Sequence, residues 1–181
     1  FRTFIENEFV VLNRTSQEKI HAQAGTLDPT FGEGGIVIYD TFTTSNASLI
    51  QPDGKIVLLS ETFGGTVVNR FNVDGSFDLT FGENGRAYFS FNGKIYYGAQ
   101  KIALQQDGKI VFTSFYHSGS KIDVGIIRCQ EDGTPDSSFG INGLDTVEMD
   151  NLNISHGLVI QPDGKIVVSG DVRKSQYDEK R

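Results

Sequence analysis

Seven residues, QPDGKIV, stand at Gln51–Val57 and return unchanged at Gln161–Val167, and midway between them Gln105–Val111 reads QQDGKIV. A match of that length, with a third near-copy midway, marks an internal repeat. Two further series keep the same rhythm. FGEGG at Phe31, FGENG at Phe81 and FGING at Phe139 form one, while DGSFD at Asp74 and DGTPD at Asp132 form the other, with GTLD at Gly25 as a degenerate first copy. Asp53, Asp107 and Asp163 fall 54 and 56 residues apart, so the unit is about 55 residues. That is too long for a leucine-rich or ankyrin unit and near the length of a propeller blade.

One unit contains four strand-like runs: Gly35–Thr41, Ala47–Gln51, Lys55–Glu61 and Thr66–Asn72. Turn chemistry bounds each of them. Between the second and third, Pro52 fixes φ and Gly54 accepts a positive φ, as a tight hairpin needs. The third run is apolar at consecutive positions (Ile56–Leu59, Ile110–Phe112, Ile166–Val168), which predicts a strand covered on both faces. Four-stranded sheets stacked radially give that burial. The 21 glycines and 14 phenylalanines, with only 4 prolines, also favour short strands over long helices. The expected fold is all-β, a propeller-like array of four-stranded antiparallel blades, with a β-solenoid as the structural rival.

Residues 1–24 form a divergent segment or partial blade, in which Glu8–Leu12 reads as a third strand. Residues 25–171 carry two complete and two partial units, and 172–181 begin a further strand or tail. Such an array is completed by other blades of a longer chain or by a second protomer. An opening on Phe1 leaves room for an upstream segment. HAQAG at His21–Gly25 has the look of a signal-peptidase site, but Asn13, Arg14, Glu18 and Lys19 interrupt the apolar stretch such a site requires.

A net charge of −7 without a clustered basic face argues against nucleic acid and anionic membranes. No apolar run reaches the roughly 18–20 residues of a spanning helix, so membrane insertion is not expected. The single Cys129 has neither a disulfide partner nor zinc-site spacing.

The strings LIQPDGKIV, NRFNVDGSFDLTFGENG and IIRCQEDGTPDSSFGING resemble the delta-60 repeat, a β-propeller domain of unknown function found in bacterial proteins that are often large and exported. The resemblance covers about 25–171. It implies a repeat scaffold without a defined catalytic set, and an extracellular or cell-surface location.

Residues that recur in every copy need a reason present in every copy. Asp53, Asp107 and Asp163 each precede a hairpin glycine, where a carboxylate accepts backbone N–H groups. Asp74 with Asp78, and Asp132 with Asp136, invite a calcium reading, since hard cations take clustered carboxylates. The competing expectation is a turn in which Asp78 pairs with Arg70 and Asp136 with Arg128. Phe31, Phe81 and Phe139 are expected as wedges between sheets. FGEGG and FGENG lack the Lys-Ser/Thr ending of a phosphate loop.

Specific function belongs where copies differ. Tyr96, Tyr97, Phe115, Tyr116 and His117 have no counterparts in neighbouring units and are candidates for an aromatic patch contacting glycan or protein, against a plain reading of loop packing. His21, His117 and His156 show no ligand spacing, and no nucleophile with a base stands out. Sequons at Asn13, Asn46 and Asn153 matter only in a glycosylating host. The expectation is a non-enzymatic structural or adhesive scaffold without a cofactor. A lectin-like propeller is the alternative, and a hydrolase a distant third.

Overall fold

The structure, a computed structural model, describes residues 10–13, 27–39, 44–62, 64–90, 96–118, 121–147 and 153–172. At 10–13, 96–97, 116–118, 121–122, 153–154 and 172 the description covers the backbone only. The described residues form strands and turns without a helix. In chain order the strands are β1 (Val10–Asn13), β2 (Ile36–Tyr39), β3 (Thr44–Ile50), β4 (Ile56–Thr62), β5 (Gly65–Phe71), β6 (Arg86–Phe89), β7 (Tyr96–Leu104), β8 (Ile110–Ser118), β9 (Lys121–Cys129), β10 (Leu144–Val147), β11 (Asn153–Ile160) and β12 (Ile166–Val172).

Two four-stranded antiparallel sheets, β3-β4-β5-β6 and β7-β8-β9-β10, stand between two strand pairs, β1-β2 and β11-β12. Local chemistry sets the hairpins. The Gly54 N–H donates to the Gln51 carbonyl and the Gln51 N–H to that of Lys55, with Gly54 at φ 84°. The same bonds recur at Gln105–Lys109 and Gln161–Lys165. Each strand pair therefore enters its sheet in the same register.

Side-chain alternation then builds the stack. On β4, Val57 and Leu59 face β7-β10, where they join Ile110, Phe112, Ile127 and Cys129 in one core, while Ile56, Leu58 and Phe71 turn the other way and pack with Phe31 and Tyr39. Both faces of the sheet are covered, as the unbroken apolar run predicts. Burial pushes the Cys129 thiol up to about 12, so it is a core residue and not a nucleophile.

Two expectations need correction. A sheet does not coincide with the sequence unit as drawn, because β2, the unit's first strand, pairs outside β3-β4-β5 and belongs to the preceding sheet. Its place there matches those of β6 and β10, which close their sheets after the FGENG and FGING turns. The described part of Glu8–Leu12, from Val10 on, likewise does not take a third strand's place. β1 pairs directly with β2, in the place that β5 and β9 hold beside β6 and β10, and it runs parallel where they run antiparallel. VVLNR at Val10–Arg14 echoes VVNR at Val67–Arg70 with one added residue, and a short apolar run cannot by itself say which neighbour it takes. The segments 1–9, 14–26 and 173–181 lie outside the described residues.

Candidate recognition surface

Antiparallel order separates the connections into two ends. The PDG-type hairpins and the DG–FG turns lie at one end, and the β4–β5, β6–β7, β8–β9 and β10–β11 connections at the other. The first end carries what the copies share. Asp78 Oδ1 accepts from the Thr80 N–H (3.1 Å) and hydroxyl (2.6 Å), and Asp136 repeats this with Ser138 (3.0 and 2.7 Å). Their Oδ2 atoms face Arg70 Nε at 2.7 Å and Arg128 Nε at 2.8 Å, the two pairs expected from sequence. Lys55 adds a second cation to Asp78 at 3.1 Å. Burial pushes the Asp78 carboxyl up, but the Thr80 donors, Lys55 and Arg70 outweigh it and hold the carboxyl well below its ordinary 3.8. Asp136 is lowered in the same way, first by Ser138.

These groups also latch one sheet to the next. The Gly32 N–H donates to the Asp74 carbonyl (2.8 Å) and the Gly82 N–H to the Asp132 carbonyl (2.7 Å), each across a sheet boundary. Arg70, stacked 4.5 Å over the Phe81 ring, reaches the Glu131 carbonyl at 2.5 Å. Phe81 wedges against Gly133, where an added Cβ would meet its ring at 2.9 Å. Phe31 does the same to Gly75 at 3.2 Å. Phe139 carries Arg128 at 4.6 Å but is only half-buried, with no following turn over it among the described residues.

The four aspartates read for calcium are each engaged by protein groups. Asp74 and Asp132 are engaged by Ser76 and Thr134, Asp78 and Asp136 by arginines, and no group of three or more His, Cys, Asp or Glu among the described residues could hold a metal ion. Asp53, Asp107 and Asp163 accept the N–H of Lys55, Lys109 and Lys165, as hairpin residues.

The opposite end carries the residues that differ. Backbone register sets Tyr96 across from Tyr116 and Tyr97 across from Phe115, so residues well separated in sequence meet on β7 and β8. His117 pairs with Ile122 on β9. The side chains of Tyr96, Tyr97, Tyr116 and His117 lie outside the described residues. Phe115 is half-buried and its ring lies on Gly98, a packing role; the Gly98 N–H donates to Glu61 Oε2 at 2.6 Å. Next to Tyr116 in register is Asp123, 3% exposed, whose Oδ1 has no partner among the described residues. Each inner strand is irregular here, with register shifts at Ser45/Ala47, Tyr97/Lys101 and Ser155/Gly157. Bulges of this kind re-aim side chains. At the third, exposed His156 Nε2 lies 3.0 Å from Asp171 Oδ2. Sequence reading missed Asp123 and Asp171, although both stand where other copies carry different residues (Gly65 for Asp123; Glu61 and Phe115 for Asp171), which was the available signal.

The family model described as domain of unknown function (DUF5122) beta-propeller matches residues 51–81, 105–139 and 161–178. Over those three stretches the chain is similar to DUF5122 β-propeller repeats. The matched stretches hold the hairpins, the Arg70–Asp78 and Arg128–Asp136 pairs and the acceptor carbonyl of each latch, and the sheets are therefore propeller blades. No curated protein and no solved structure matches the chain.

Proposed function

We propose that this propeller segment is a non-catalytic scaffold that presents its variable end for recognition of a protein or glycan surface. One observation carries the reading: the polar groups the repeats share are engaged in turns and blade junctions at one end, while the unshared Tyr96, Tyr97, Tyr116, His117 and Asp123 gather at the other. A rigid platform with divergent connections suits binding. An exported or cell-surface setting, which the delta-60 resemblance implies, agrees with that role.

Glycan is the more specific form of the reading. Aromatic rings suit a sugar's apolar face, and Tyr96 stands in register with Tyr116, and Tyr116 with Asp123. A glycan array and a panel of immobilised extracellular proteins, probed with the chain, test it. Saturable binding that Tyr96→Ala, Tyr97→Ala and Tyr116→Ala each weaken, with thermal unfolding unchanged, is the expected result. Binding indifferent to all three would remove the variable end from the account.

A further inference from the structure

The two ends of the stack expose apolar residues whose counterparts are packed inside it. Val57 and Val111 are fully buried by the blade that follows each, whereas Val167, at the same place in the repeat, is 42% exposed. Val159, directly across from Val167 on β11, is 58% exposed, while its counterpart Leu49 packs into the core between the two complete blades. At the opposite end of the stack Ile50 is 58% exposed, while its counterpart Leu104 packs into that same core from the other side. The exposed positions are thus the two halves of one existing junction. What Leu49 and Leu104 contribute to the β3-β6/β7-β10 boundary, Val159 and Ile50 hold unused.

Pairing supports the match. β4 and β8 each carry a strand on both edges, but β12 pairs with β11 alone among the described residues. An exposed apolar face beside an edge with no partner among the described residues is a surface that another chain can cover.

We propose that a second copy of this chain occupies that face, head to tail: the β11-β12 pair of one copy packs against β3 of the other, covering its Ile50 with Val159 and Val167. The pair lies alongside β1-β2, which already serves the neighbouring part of that blade. Two such junctions, related by a two-fold axis, close the stack into a ring in which each copy supplies two complete blades and the copies share the rest. The assembly is independent of what the variable end binds.

Sedimentation equilibrium over a concentration series tests this. The chain should run at twice its monomer mass of 19.9 kDa. Ile50→Arg and Val159→Arg should each return it to the monomer mass with an unchanged far-ultraviolet circular dichroism spectrum, and Leu79→Arg, at an exposed turn, should not. Mixing the two disrupted variants should restore association, because one of the two junctions is then wild type on both sides. A wild-type chain that stays at the monomer mass throughout, that grows without limit, or that stays dimeric in both arginine variants would overturn the proposal.

Discussion

Asp78 shows how much of the repeat rests on single side chains. Its carboxylate is buried, and the Thr80 donors, Lys55 and Arg70 together keep it charged there. Removing one partner of a buried pair leaves an uncompensated charge. Arg70→Met should therefore cost toward the low end of about 3–5 kcal/mol, since Lys55 remains. Arg128→Met, at a more exposed pair, should cost less, and urea unfolding of both variants checks the order. The pH dependence has a definite sign. Folding lowers the Asp78 pKa below 3.8, so the pair's contribution is present above that value and is lost as pH falls through it toward the folded-state pKa. Acidification below 3.8 should lower the urea midpoint more in the wild type than in Asp78→Asn. The Arg–Asp pairs were legible because both partners recur at matched positions. The reach of Arg70 to the Glu131 carbonyl was not, because nothing in one unit says which backbone lies beside it.

At the scale of turns and strands, two glycines with nearly the same backbone separate conformation from packing. Gly133 and Gly164 both have positive φ, 88° and 84°, but a Cβ at Gly133 would press on Phe81, while at Gly164 it would meet open space. Gly164→Ala should cost only the backbone term, about 1 kcal/mol, and Gly133→Ala distinctly more. Equal losses in thermal unfolding would mean that the Phe81 wedge contributes nothing. Hairpins and burial of the third strand were readable because Pro52, Gly54 and the run Ile56–Leu59 act locally. The phase of each blade was not readable: a repeat period has no marked start, and only pairing shows that β2 closes the blade before β3. Asp123 escaped for the same reason, since its place beside Tyr116 exists only once β8 and β9 pair.

Across the whole molecule, repetition divides labour between the two ends. The shared end holds blade to blade through two backbone bonds, Gly32 to Asp74 and Gly82 to Asp132, each sealed by a phenylalanine. The other end diverges in residue type, and the contacts that join blades there, Thr66 with Ser114, Thr113 with Ser155 and Glu61 with Gly98, are made by residues that change from copy to copy. If the latches hold the stack together, the amides that cross between blades open only when the stack does. Native-state hydrogen exchange at the Gly82 amide measures this. Its opening free energy should approach that of global unfolding. Exchange as fast as that of an exposed turn amide such as Gly164 would show that the blades separate freely and that the shared residues do not join them.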